Sequence, residues 1–248
     1  MDEPEFDLDA TAIDPEFYRA GGSCLSVSEA AVLGEVAGLK VLVTPAGTGE
    51  EALSLANLGA NVTVLDYGEG LDAAREIATA SSIDLAFISD DANGIDMANR
   101  DASFDLVYST WGAVDWLDDL DDWARGIADM LKPAGRLVCY EEHPVAYMMK
   151  EERGQLVVAN SYFGEPIDDD GDGEAEESVE IEGHERTTFS WTVGDLVSAL
   201  GAAGLGTLLL EEFPESDRYQ TPLDQFERMD SESLWRVPAA LLLVAIKL

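Results

Sequence analysis

Two glycines between an apolar strand and a helix are the residues whose spacing says most about chemistry. The apolar run at 40–44 leads directly into PAGTG at 45–49, where a helical pattern begins. Gly47 and Gly49 allow a tight turn and let a ligand approach the backbone, while free N–H groups at the helix start point toward that ligand. Asp66 ends the next strand, where its carboxylate suits both hydroxyls of a ribose. The pattern predicts a cofactor with an adenosine part.

The same glycines, with Ala52 in third place, also satisfy the G-x-G-x-x-G/A pattern of NAD enzymes. Glu50 and Glu51 fall in the first helical turn, where they would repel a pyrophosphate but tolerate a sulfonium cofactor that carries no phosphate. We therefore favour S-adenosyl-L-methionine over NAD. A plain tight turn with a solvated Asp66 is the alternative that needs no ligand.

Strand and helix patterns alternate along most of the chain, which predicts an α/β fold: a doubly wound, mostly parallel sheet with helices on both faces. Ligands of such sheets bind beyond the carboxyl ends of the strands, near the point where the strand order reverses. Strands are predicted at 40–44, 61–66, 83–89, 104–109, 135–142, 206–213 and 238–248, and helices at 26–36, 49–58, 69–79, 115–131 and 191–205.

The charge balance excludes several classes of function. The 248 residues hold 14 Lys and Arg against 51 Asp and Glu, a formal charge of −37. Binding nucleic-acid backbones or anionic membranes takes clustered basic residues, so neither partner is expected. The acidic residues are spread along the chain over an ordinary 46% hydrophobic content. This pattern predicts a halophilic protein in a salt-rich cytoplasm, where salt screens the self-repulsion; a merely acidic mesophilic protein is the alternative.

Cysteine usage and the chain start predict a cytoplasmic protein. Cys24 and Cys139 are far apart and match neither a disulfide framework nor a CxxC metal pair. The acidic beginning of the chain excludes a signal peptide, and no apolar run reaches the roughly 20 residues of a membrane span. We expect one domain over 1–248, and the sequence leaves the oligomeric state open.

One stretch, 165–185, has 11 acidic residues and no Lys or Arg, so it predicts an exposed acidic insertion. Within it, Asp168-x-Asp170-x-Asp172-Gly173 imitates the start of a calcium loop. Val179 stands at the twelfth position, where a bidentate Glu is required, so no metal site is expected. His184, beside this stretch, is interpreted as a surface residue.

These motifs together resemble class I S-adenosylmethionine-dependent methyltransferases of the small-molecule, "type 11" kind. The resemblance covers roughly residues 38–145. It implies a Rossmann-like sheet of seven strands that ends in an antiparallel hairpin, and methyl transfer to a small-molecule acceptor. The segments that carry it are the glycine turn, Asp66, Asp90-Asp91, FDLVYSTWGAVDWL at 104–117 and LKPAGRLV at 131–138.

The resemblance also assigns the cofactor contacts. The turn at 46–49 would hold the methionine and ribose parts of the cofactor, and Asp66 and Tyr67 would hold the ribose and flank the adenine. The segment after the third strand would contact the adenine amino group, and the end of the fourth strand would line the cofactor. Two departures put affinity or activity in doubt, since the family usually has an acidic residue at Val43 and a glycine at Pro45. The implied cofactor-binding residues are Ala46, Gly47, Thr48, Gly49, Asp66, Tyr67, Asp90, Asp91, Ala92, Ser109 and Thr110.

The acceptor side is less readable from sequence. His143 follows the fifth strand beside two glutamates and is the candidate general base, with a loop-fixing role as the alternative. Trp111 follows the fourth strand and belongs either to the pocket or to the core. The segment at 1–37 is a candidate helical lid over the cofactor, its hinge at Gly21-Gly22, or an ordinary linker. A cofactor-binding sensor without catalysis and an NAD-linked oxidoreductase are the competing functions.

Overall fold

The structure is a computed structural model that describes residues 13–91, 102–153, 155–163, 178–181, 184–187, 191–216 and 237–248, together with Arg218 and Leu223. In chain order the helices are α1 Pro15–Arg19, α2 Val27–Leu33, α3 Glu50–Asn57, α4 Gly68–Ser81, α5 Leu120–Met130, α6 Pro144–Tyr147 and α7 Val193–Ala202. The strands are β1 Lys40–Thr44, β2 Asn61–Asp66, β3 Ala86–Ser89, β4 Phe104–Ser109, β5 Leu131–Glu142, β6 Met149–Glu152, β7 Gln155–Val158, β8 Ser178–Ile181, β9 His184–Thr187, β10 Leu205–Phe213 and β11 Ala240–Lys247.

Seven strands form one sheet in the order β10-β11-β5-β4-β1-β2-β3. β3, β2, β1, β4 and β5 are parallel neighbours, while β11 runs antiparallel to both β5 and β10. The predicted fold class, with its parallel sheet, seven strands and antiparallel C-terminal pair, is confirmed. The order reverses at β1, which has β2 on one side and β4 on the other, so this is the switch point of the sheet.

Two apolar layers hold the sheet between the helices. One packs α5 and α7 against one face, around Trp123 and Leu200, and the other packs α2, α3 and α4 against the opposite face, around Leu53 and Leu71. β11 is buried along nearly its whole length, as expected for a strand covered on both faces. Both layers leave the carboxyl ends of the parallel strands at one edge of the sheet.

The helix predicted at 115–131 is divided in the structure. A short 3₁₀ turn at Val114–Trp116 comes first, and α5 begins only at Leu120 because the Asp119 side chain accepts from the N–H of Asp122 and caps the helix there. The fifth strand begins at Leu131, earlier than the predicted 135. These shifts leave the end of β5 where the sequence put it.

Shorter elements follow the fifth strand. β6 and β7 form one antiparallel hairpin and β8 and β9 another. The second hairpin overlaps the predicted acidic insertion, of which residues 165–177 and 182–183 lie outside the described residues. Among the helices that the structure describes, none is long and apolar enough to cross a bilayer.

Candidate cofactor and acceptor site

The glycine turn lies at the switch point, directly after β1. Gly49 has a φ of +86°, which favours glycine, and a Cβ there would lie 2.9 Å from Cγ2 of Ile77 and 3.3 Å from Cα of Ala74. Glycine therefore permits both the turn and the close approach of α4. Gly49 is also the N-cap of α3 and has no side chain to cap it, so the first N–H groups of α3 remain available to a ligand.

Asp66 joins this turn to the end of β2. Its Oδ2 accepts from the backbone N–H of Ala46 at 2.8 Å and its Oδ1 from that of Tyr67 at 2.7 Å. Both carboxylate oxygens therefore lie where β2 ends beside the glycine turn, the place at which the ribose contact is predicted. The backbone N–H of Asp90 also donates to the carbonyl of Asp66 at 3.1 Å, which ties in the end of β3.

The remaining predicted cofactor residues divide into two groups. Tyr67 is 57% exposed beside Asp66, and Thr110 is buried with its hydroxyl donating to the carbonyl of Pro45 at 3.2 Å. Both lie around the turn. Asp90 is partly buried and Asp91 exposed after the end of β3, whereas Ser109 is fully buried in β4. Ala92 lies outside the described residues.

The two first-turn glutamates of α3 have different surroundings. Glu50 accepts from the Tyr18 hydroxyl at 2.7 Å and from the Thr48 hydroxyl at 3.1 Å. Glu51 is 3% exposed and is paired with the guanidinium of Arg218. The sequence predicts that both charges repel a pyrophosphate. In the structure Glu51 shares the charge of Arg218, so Glu50 is the glutamate that opposes a pyrophosphate more strongly.

The N-terminal segment, residues 13–26, packs over α3 and α4. Tyr18 is buried, and burial with the Glu50 hydrogen bond keeps its pKa well above the usual value, so the hydroxyl stays a donor. The Asn57 side chain donates to the carbonyls of Tyr18 and Gly22, each at 2.8 Å. These bonds fasten the segment beside the glycine turn, and its role as a lid stays a prediction.

At the acceptor side, Glu141 organises the loop that follows β4. Its carboxylate accepts from the backbone N–H groups of Gly112 at 2.7 Å, Ala113 at 3.1 Å and Val114 at 3.3 Å. The side chain is 3% exposed. The sequence analysis missed Glu141, although strand alternation puts it on the same buried face as Leu137 and Cys139.

The sequence left open whether Trp111 belongs to the pocket or to the core, and in the structure its position is intermediate. Its ring is 5.0 Å from that of Tyr140, and its Nε1 donates to Oε1 of Glu142 at 3.1 Å. The residue is half-buried. It therefore forms an aromatic wall at the carboxyl edge of the sheet.

Three neighbouring carboxyl groups, Asp115, Glu141 and Glu142, have raised pKa values. Burial raises the pKa of Asp115 to about 7 and, with the help of Asp115, that of Glu142 to about 7. Burial raises the pKa of Glu141 as well, and its backbone donors act in the opposite direction. Among the described residues no cluster of His, Cys, Asp and Glu has an arrangement that could hold a metal ion.

His143 uses both ring nitrogens within the protein. Nδ1 accepts from the N–H of Val145 at 3.1 Å, so the proton of the neutral ring is on Nε2, which lies 2.8 Å from Oε1 of Glu212. The residue is 2% exposed, and burial lowers its pKa. The ring caps α6 and ties it to β10, a geometry that supports the loop-fixing alternative.

Comparison with known proteins finds similar domains and similar folds. Residues 44–139 match the family described as "Methyltransferase domain". The solved structure of an S-adenosylmethionine-dependent methyltransferase from Mesorhizobium loti is 26% identical, covers 87% of this chain and 94% of its own, and has a TM-score of 0.63. A second such structure, from Listeria monocytogenes, has a TM-score of 0.63 at 18% identity and covers 88% of this chain and 95% of its own. By fold and by the domain matched at residues 44–139, the chain is similar to the class I S-adenosylmethionine-dependent methyltransferases.

Among curated relatives, the demethylmenaquinone methyltransferase of Renibacterium salmoninarum is 34% identical over 116 residues, which is 45% of this chain and 45% of that protein. That of Clavibacter sepedonicus is 35% identical over 109 residues, 43% of this chain and 42% of that protein. The matched part is thus less than half the length of either relative. S-adenosyl-L-methionine is the cofactor that this class implies, as the sequence predicted.

Proposed function

We propose that the protein transfers a methyl group from S-adenosyl-L-methionine to a small-molecule acceptor. The observation that carries the proposal is the convergence of the glycine turn, the uncapped start of α3 and the carboxylate of Asp66 at the switch point of the sheet. When bound, the cofactor supplies an already activated methyl group.

The residues of the chain then have to bind the cofactor and the acceptor, orient them for methyl transfer, and exclude water. Asp66 and the N–H groups of α3 would hold the ribose and methionine parts, and Tyr67 would flank the adenine. Trp111 would form the acceptor wall, on the loop that Glu141 fixes. For His143 the geometry supports fixing α6, and the role of a general base remains the second proposal for this residue.

The acceptor is proposed only as a small molecule. The family match ends at Cys139, before the acceptor-side residues Glu141, Glu142 and His143. Demethylmenaquinone methyl transfer is what the relatives' names state of those proteins. Acceptor pockets are built from loops, so a shared domain does not transfer the acceptor.

A cofactor-binding protein without catalysis is the second candidate. Val43, where the family usually has an acidic residue, is fully buried in an apolar layer. It therefore provides no carboxylate at the end of β1. Incubation of the purified protein with S-adenosylmethionine and a small-molecule extract separates the two candidates: S-adenosylhomocysteine formed above the extract-free control supports the enzyme, and binding without turnover supports the sensor.

We further propose a salt-rich cytoplasm as the protein's location, because a charge of −37 needs screening. The melting temperature should rise with KCl from about 0.1 M, where the screening distance is about 10 Å, to the molar range, where it is about 3 Å. A melting temperature that does not change over this range would remove the basis of the halophile proposal.

A further inference from the structure

A buried cluster of charges joins four separate parts of the chain beneath the glycine turn. Arg218 donates from one nitrogen to Oε1 of Glu29 at 2.9 Å and from the other to Glu51. Tyr108 donates its hydroxyl to the same oxygen of Glu29. The side chain of Arg218 is 8% exposed, and those of Glu29 and Glu51 are 0% and 3% exposed. We call Arg218, Glu29 and Glu51 the arginine clasp.

The members of the arginine clasp, and Tyr108 beside them, come from four separate parts of the chain around the glycine turn. Glu51 is the second residue of α3, directly after the glycine turn. Glu29 is on α2, which follows the N-terminal segment, and Tyr108 is two residues before Thr110 at the end of β4. Arg218 follows β10, on the acceptor side. The clasp therefore connects the cofactor turn to the elements on both sides of it.

We propose that Arg218 is a positioning residue for the cofactor site, which it holds in place by joining Glu51 to Glu29. This inference rests on the proposed function. Two carboxylates this deeply buried repel each other unless a cation lies between them, and removing one partner of a buried ion pair leaves an uncompensated charge. Relief requires α2 and the first turn of α3 to move apart, and the turn that precedes α3 moves with it.

A second contact supports the location of Arg218. Its backbone N–H donates to the hydroxyl of Ser216 at 3.3 Å, and the same hydroxyl oxygen accepts from Tyr140 at 3.1 Å. Tyr140 is the neighbour of Trp111 in the aromatic wall. The clasp is thus continuous with the acceptor side, and Arg218 is held by both its backbone and its side chain.

Two described titratable groups beside the clasp, the Cys24 thiol and the Tyr108 hydroxyl, stay neutral over the working pH range. Burial raises the pKa of the Cys24 thiol to about 11 and that of Tyr108 well above its usual value. The carboxylates of Glu29 and Glu51 are therefore the groups whose charge matters when Arg218 is removed. A variant that removes a carboxylate together with the cation therefore tests the charge of the clasp separately from its shape.

The test is calorimetric binding of S-adenosylhomocysteine to the full chain and to Arg218→Gln. We expect Arg218→Gln to weaken binding by about tenfold or more at about pH 8, within the usual range of coupling between linked sites.

Two further variants separate charge from shape. Glu51→Gln combined with Arg218→Gln removes a carboxylate along with the cation and should recover most of the lost affinity, even if Arg218→Gln alone folds poorly. Arg125→Gln is the matched control, because Arg125 pairs with Asp122 on the exposed face of α5; its affinity should equal that of wild type.

The outcomes distinguish this inference from the function on which it rests. Wild-type protein that does not bind S-adenosylhomocysteine overturns both. If wild type binds S-adenosylhomocysteine and Arg218→Gln binds it equally well, only the positioning role is overturned. The positioning role is also overturned by a loss of affinity in Arg218→Gln that the double substitution does not recover.

Discussion

The cofactor side and the acceptor side of this site are constructed differently. At the cofactor side, backbone groups form most of the surface: a glycine turn, the start of α3 and a carboxylate that accepts from the N–H of Ala46. At the acceptor side, side chains from distant segments meet: Glu141 and His143 are buried, Glu142 is half-buried, and Glu212, the partner of His143, is exposed.

Because of this difference, the two sides tolerate different substitutions. A backbone site depends on conformation, so a single methyl group in the wrong place damages it. A site made of buried polar side chains depends on hydrogen bonding and on protonation, so it responds to loss of an acceptor and to pH. Substitutions on each side should therefore fail in different ways.

The largest effect is expected at the acceptor side, from Glu141→Ala. The substitution leaves the N–H groups of Gly112, Ala113 and Val114 without their acceptor, and we expect a loss of about 3 kcal/mol in the free energy of unfolding. Chemical denaturation measures it. Glu141→Gln keeps one acceptor oxygen and should lose clearly less; equal losses would mean that the three hydrogen bonds contribute little.

On the cofactor side, Gly49→Ala should cost about 2 kcal/mol of stability and weaken cofactor binding, since it combines a positive φ with crowding against Ile77. Gly38→Ala is the matched control. Gly38 has a φ of +78° but nothing within 4 Å of the added Cβ, so it measures the strain without the crowding. If both variants lose the same amount, the close approach of α4 is not a constraint.

Unlike the cofactor side, the acceptor side should make the stability of the protein depend on pH. Because the pKa values of Asp115 and Glu142 are raised to about 7, the folded protein binds more protons than the unfolded chain. Stability therefore falls as pH rises from about 4 to about 8. Glu142→Gln should reduce this fall by about 1–2 kcal/mol, while Asp118→Asn on the exposed surface should not. If the free energy of unfolding of Glu142→Gln depends on pH as that of wild type does, the ionisation of Glu142 does not contribute to stability.

The smallest effect is expected from His143→Ala. Loss of the α6 cap and of the Glu212 contact should cost about 1 kcal/mol of stability, with little change in turnover. Steady-state kinetics and cofactor affinity are measured together. A fall of about 10²-fold or more in turnover at unchanged affinity would instead establish the general-base role.

The sequence predicted the cofactor side well because its signals are local. β1, β2 and β4 have their predicted bounds, and the glycine turn and Asp66 meet as expected. Arg218 gave no such signal, since it lies 167 residues from Glu51 along the chain and its neighbours show no pattern. Which distant charges pair in a core is decided by tertiary packing. Glu141 is intermediate, because alternation within a buried strand could have identified it.

The central claim is that the glycine turn and Asp66 form an S-adenosylmethionine site, and calorimetry tests it most directly. Titrations of wild-type protein and Asp66→Ala with S-adenosylmethionine, S-adenosylhomocysteine and NAD at high salt give the affinities. We expect both sulfur compounds to bind wild type, NAD not to bind, and Asp66→Ala to lose about 1.5–3 kcal/mol of binding free energy, the value of a hydrogen bond to a charged group. Binding of NAD without either sulfur compound, or an unchanged affinity in Asp66→Ala, would contradict the account.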